Sequence, residues 1–174
     1  NKLDFKNTIQ LANGHDNEDE SFPSWYMEMQ VLGYNYRLTD IQAALGASQL
    51  NRAKSGVEKR REIAKKYFNF LNNKDYVIRQ SGIIDGHAYH LYVVEFNNRL
   101  NLYNFLRQNK VYAQIHYFPC HLMPYYKQFG YKQGDFPQVE KYYKNCLSLP
   151  MFPELSQNDL ERVFGLIEEF YKNN

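Results

Sequence analysis

Cysteine is scarce: Cys120 and Cys146 are the only two in 174 residues. They are too few for a disulfide framework and too far apart for a zinc knuckle, and both sit in apolar surroundings, so they read as reduced core thiols. No apolar run approaches the ~20 residues that a membrane helix needs, and the first twenty residues, NKLDFKNTIQLANGHDNEDE, lack the apolar stretch of a signal peptide. Charge asymmetry is missing too. With 21 basic and 19 acidic residues the net charge is +2, which carries no footprint of a general nucleic-acid binder. These absences predict a cytoplasmic protein with neither nucleic acid nor membrane among its partners.

Self-contained catalytic machinery is also lacking. There is no phosphate-cradling glycine loop, no dinucleotide fingerprint, no Ser-His-Asp arrangement and no lysine in a recognisable nucleophile context. His87 and His90 fall in HAYHLYVVEF, read as a strand, where a spacing of three puts them on opposite faces and argues against a metal pair.

What is present reads as an α+β chain. Residues 1–24 are polar, contain the acidic HDNEDE and carry Pro23, which predicts a loop or extended lead-in, with organised structure beginning near Trp25. Thr39 followed by Gln42 fits a capping box, so a helix should start at Thr39. Its period continues through Val57, Ala64, Tyr67 and Phe68 to about Leu71, with EKRREIAKK as a solvated face. Near its start, Ile41, Ala44, Leu45 and Ser48 share one face, and Ala43, Gly46 and Ala47 stay small enough to admit a neighbouring backbone.

Beyond Asn73 the period changes. DYVIRQ, HAYHLYVVEF (87–96) and VYAQIHY (111–117) are strand candidates. Asn98 can cap a helix carrying Leu102, Phe105 and Leu106. FPCHLMPYY breaks regular structure with two prolines, a helix follows from about Gln138 to Cys146, and an extended proline-punctuated segment comes after it. Ser156 caps a last helix whose apolar stripe is Leu160, Val163, Phe164, Ile167 and Phe170. The expected architecture is a small, mostly antiparallel sheet covered by helices, with one long helix at the start.

Two stretches point to ligand binding. In GYNYRLTD, Asn35 and Arg37 alternate in an extended segment just ahead of a helix N-terminus, an arrangement suited to a phosphate. The plainer alternative is a local turn hydrogen bond for Asn35 and an ion pair of Arg37 with an acid such as Asp40. In QIHYFPCHLMPYY, His116 and Tyr117 lead into a rigid proline loop, a usual place for recognition residues; a buried tyrosine and a satisfied core histidine are the alternative.

GYNYRLTDIQAALGASQL, HAYHLYVV, AQIHYFPCHLMPYY and FPQVEKYYKNCLSLPMFPEL together span about residues 30 to 170. In order and spacing they resemble the C-terminal half of the DegT/DnrJ nucleotide-sugar aminotransferases. Within that group the chain looks most like the UDP-4-amino-4,6-dideoxy-sugar aminotransferases of pseudaminic acid biosynthesis. The resemblance implies the small C-terminal domain of the fold-type I transferases, which bind pyridoxal 5'-phosphate. It implies amino transfer from glutamate to a keto nucleotide-sugar, in a homodimer whose pocket is shared between subunits.

Carried over by position, Asn35 is expected to reach the cofactor phosphate of the other subunit. Arg37 is expected to meet a phosphate of the nucleotide-sugar, and His116 and Tyr117 its diphosphate or sugar. Residues 1–30 would be a lead-in segment and 31–174 the small domain with its dimer arm. The cofactor-bonding lysine matches no residue here, so the expectation is an excised portion that does not transaminate by itself. A sugar dehydratase of the same family and a non-catalytic sugar- or nucleotide-binding module are the alternative functions.

Overall fold

The computed structural model describes residues 32–34 and 36–173. They fall into two compact units, one running to Ala43 and one from Ala44 onward. The readings of residues 1–24 as a lead-in and of Trp25 as the start of organised structure lie outside the described residues.

In the first unit the main feature is the start of helix α1, Asp40–Leu71. The backbone N–H of Gln42 donates to Thr39 Oγ1 (3.3 Å), and the backbone N–H of Thr39 donates to Gln42 Oε1 (3.0 Å). This is the reciprocal cap that the two residues predicted; it satisfies amides that the first helical turn leaves without partners.

The second unit is built on three strands, β1 (Val77–Gln80), β2 (Tyr92–Phe96) and β3 (Cys146–Leu149), in the order β1-β2-β3. Both pairings are antiparallel, with Gln80 opposite Val94 on one side of β2 and Val93 opposite Ser148 on the other. Helices α2 (Arg99–Gln108), α4 (Pro137–Asn145) and α5 (Gln157–Lys172) pack around the core of this unit, and the short α3 (Pro124–Lys127) lies in a loop without burying a residue.

The core is continuous. Tyr67 and Leu71 from the end of α1, Tyr92, Val94 and Phe96 from β2, Leu147 and Leu149 from β3, Leu102 and Leu106 from α2, and Leu160 and Ile167 from α5 are all buried. Aromatic rings join the elements: Phe70 stacks on Phe164 at 4.1 Å between centroids, and Tyr76 on Tyr171 at 4.0 Å. The α5 stripe is the predicted one, and Ser156 caps it reciprocally with Asp159.

Several sequence expectations need correction. The strand expected over 87–96 begins only at Tyr92, because Tyr89 takes a positive φ of 47° and its buried hydroxyl donates to the Gly82 carbonyl and accepts from the Ile84 amide. A left-handed residue ends extended pairing. His87 and His90 therefore lie in this loop and not on strand faces; among the described residues no group of three or more His, Cys, Asp or Glu could hold a metal.

The strand expected over 111–117 is reduced to one bridge, Gln114 to Ser148, although Val111 and Ala113 are buried in alternation. The place beside β2 is taken instead by Cys146–Leu149, where the sequence predicts a helix end and an extended segment. Asn98 does precede α2, but in a left-handed conformation and without a side-chain cap; its Oδ1 accepts from Asn101 Nδ2 at 2.7 Å. Finally, Cys120 is exposed and only Cys146 is a core thiol, its pKa raised by burial.

Candidate functional site

The segment ahead of α1 presents its side chains to solvent: Leu32, Tyr34, Tyr36 and Leu38 are all exposed. Tyr34 and Tyr36 stack at 5.3 Å between centroids, and the Tyr36 amide donates to the Tyr34 carbonyl at 2.8 Å. Arg37 is exposed within this unit, two positions before the Thr39 cap. Asn35 lies outside the described residues. The small-residue turn of the helix is likewise uncovered, with Ile41 83% and Leu45 62% exposed. Several large apolar side chains of this segment are thus left in water.

Within the second unit, a separate candidate element is the loop from His116 to Phe136, held on the sheet at several points. His116 Nδ1 lies 2.8 Å from the Oγ of the buried Ser148. The His116 carbonyl accepts from the Tyr142 hydroxyl at 3.3 Å. Tyr142, on α4, has its pKa raised by burial, so the hydroxyl stays a donor. The peptide bond between His116 and Tyr117 is cis. Tyr117 is 68% exposed, and its ring meets the His116 ring edge-on at 4.5 Å.

Further along, a short 3-10 turn, Cys120–Leu122, carries the buried His121, whose Nε2 lies 2.9 Å from Glu140 Oε1. The same carboxylate oxygen accepts from the Gly134 amide at 2.8 Å. The His121 hydrogen bond, and then the Gly134 amide, hold the Glu140 carboxyl below the usual carboxylate range. Glu140 thus ties both ends of the loop to α4. Between these ties Tyr125, Tyr126, Phe129 and Tyr131 are exposed.

Of the residues singled out from sequence, His116 and Tyr117 are adjacent on a braced loop, and Arg37 belongs to the other compact unit. Sequence reasoning missed Ser148, His121 and Glu140. Ser148 carried a signal, as the one polar residue in an otherwise apolar CLSL run. The pairing of His121 with Glu140 spans 19 positions and left no pattern.

Chemically these groups donate hydrogen bonds and stack; they are suited to grasping oxygen anions and rings. A small antiparallel sheet under helices, entered by a long helix, is the architecture of aminotransferases of the pyridoxal-phosphate fold. One such solved structure, an aminotransferase of this type from Brucella abortus, superposes with a TM-score of 0.69 at 30% identity, covering 94% of this chain and 42% of that one. The chain belongs to the DegT/DnrJ/EryC1/StrS aminotransferase family, whose pattern it matches over residues 5–168.

Among its relatives, the spore coat polysaccharide biosynthesis protein SpsC of Bacillus subtilis strain 168 is 36% identical over 165 residues, 90% of this chain and 42% of SpsC. The UDP-4-amino-4,6-dideoxy-N-acetyl-beta-L-altrosamine transaminase of Campylobacter jejuni is 31% identical over 166 residues, 85% of this chain and 42% of that enzyme. The chain thus spans about two fifths of the length of the curated relatives it matches, 42% of each of these two.

Proposed function

We propose that this chain is part of a pyridoxal 5'-phosphate-dependent enzyme that moves an amino group from glutamate to a keto nucleotide-sugar, supplying surface-glycan precursors of the pseudaminic acid type. The observation that carries this reading is the family match across residues 5–168, joined to a relative named as a UDP-amino-sugar transaminase. Residues 31–174 serve as the small domain and dimer arm, and 1–30 as the segment leading into it. The enzyme is a homodimer, and each pocket is completed by the other subunit. Charged nucleotide-sugars do not cross membranes unaided, which supports work in the cytoplasm.

The donor set on this chain fits the cofactor's phosphate and the substrate's diphosphate. Arg37 brings an exposed guanidinium, a planar fork matched to paired phosphate oxygens, beside the positive end of α1. Asn35 would hold the cofactor phosphate across the two-fold axis, and Arg37 the nucleotide-sugar. When bound, the cofactor supplies the electron sink for the amino exchange. His116 and Tyr117 orient the sugar diphosphate from a loop that the sheet and α4 keep in place. The uncovered turn at Ile41 and Leu45 packs against the partner subunit or the rest of the full-length chain.

The test is an incubation of the full-length protein with pyridoxal 5'-phosphate, 15N-glutamate and a UDP-4-keto-6-deoxy sugar, read by mass spectrometry. One heavy nitrogen in the sugar is expected. A deoxygenated sugar without nitrogen would move the assignment to a dehydratase, and binding without any conversion to a module.

A further inference from the structure

We propose that Ser148 is a positioning residue for His116: its hydroxyl locks the imidazole in the Nε2–H form and aims that N–H at an oxygen anion of the nucleotide-sugar. The proposal rests on the substrate-binding role given to His116 above and names the group that makes the role specific.

Ser148 is the polar member of β3, whose four residues are all buried. Its backbone is already committed, since its amide donates to the Gln114 carbonyl at 2.7 Å and its carbonyl accepts from the Gln114 amide at 3.0 Å. Its side chain meets His116 Nδ1 at 2.8 Å. A buried hydroxyl proton needs an acceptor, and Nδ1 provides one only when it carries no hydrogen. Were Nδ1 the protonated nitrogen, it would donate to Oγ and leave the serine proton in the core without a partner. The neutral ring therefore holds its hydrogen on Nε2.

Nε2 lies on the far side of the ring from the serine and makes no hydrogen bond within the described chain, yet no buried side-chain nitrogen there lacks a partner. It is therefore open to solvent, beside the exposed Tyr117 ring. The backbone at the same residue is pinned by Tyr142. Ring and backbone are thus both fixed, and the result is a pre-aimed donor next to an aromatic edge. Such a donor costs little ordering when it meets a phosphate or sugar oxygen.

Two measurements test this. In the 174-residue chain with 15N-labelled histidine, the imidazole signals of His116 should report a bare, hydrogen-bonded Nδ1 and a protonated Nε2. Ser148→Ala should mix the two forms, while Ser148→Thr, which keeps the hydroxyl, should restore the single form and serves as the control for folding. In the full-length protein, with UDP as the calorimetric probe, Ser148→Ala should weaken binding about tenfold, the scale of one misaimed hydrogen bond. In His116→Ala the same serine change should add nothing further.

A protonated Nδ1 in the wild type, unchanged UDP affinity in Ser148→Ala, or losses at 116 and 148 that simply add would overturn the proposal. Failure of the amination assay with these binding differences intact would remove the aminotransferase reading and leave the lock standing.

Discussion

The Tyr67 hydroxyl donates to the Pro150 carbonyl at 2.8 Å, joining the buried end of the long helix to the residue that directly follows β3. Burial pushes the pKa of this phenol upward, with the neighbouring Tyr92 adding to the effect, so it remains a donor throughout the ordinary pH range. Tyr67→Phe keeps the ring stack on Tyr92, at 5.1 Å, and removes only the bond. We expect a loss of about 1 kcal/mol, read as a lower urea midpoint at unchanged slope.

Ile167 is fully buried on α5, at 0% exposure, within the core shared by α1, α2 and the sheet. Ile167→Ala should cost about 2–5 kcal/mol by thermal or urea unfolding, since both transfer energy and a cavity are involved. Ser156→Ala, which removes the cap of the same helix but no core volume, should cost about 1 kcal/mol.

Most of the helical frame was legible in the sequence because capping chemistry and apolar period are local. Thr39 with Gln42, and Ser156 ahead of Leu160, Val163 and Ile167, needed no knowledge of the rest of the chain. The sheet was less legible. Val111, Ala113 and Ile115 alternate as a strand would, but tertiary competition gave the place beside β2 to the four residues of CLSL, too short a run for periodicity to distinguish.

The candidate site divides the same way. Arg37, His116 and Tyr117 stand in recognisable local patterns, whereas the bonds from Ser148 to His116 and from Glu140 to His121 close over 32 and 19 positions, where no local pattern reaches.

The Glu140 carboxyl is held below its ordinary range by His121 and the Gly134 amide, so its tie to the loop has a defined pH sense. A depressed native pKa means that the stabilisation is complete above the ordinary glutamate value of about 4.3 and fades as pH falls through the lower native value. Limited proteolysis between Tyr125 and Tyr131 should therefore quicken on acidification below that point. In Glu140→Gln, which keeps a side-chain carbonyl but loses the charge, cleavage should be faster already at neutral pH and much less sensitive to acid.

Arg37 is exposed and two positions ahead of the α1 cap. In the full-length enzyme Arg37→Ala should raise the KM for the nucleotide-sugar by a factor of about 10–100, the scale of a lost charge-assisted contact, with the KM for glutamate unchanged. Arg37→Lys should recover only part, because a point charge cannot engage two oxygens as the fork does.

The reach of the arm across a two-fold axis is tested most directly by mixing two inactive full-length proteins, one carrying Asn35→Ala and the other lacking the cofactor-bonding lysine. If the arm serves the opposite subunit, half of the randomly formed dimers gain one intact pocket, and about a quarter of wild-type activity returns. No recovery from the mixture, or full activity of Asn35→Ala alone, would contradict it.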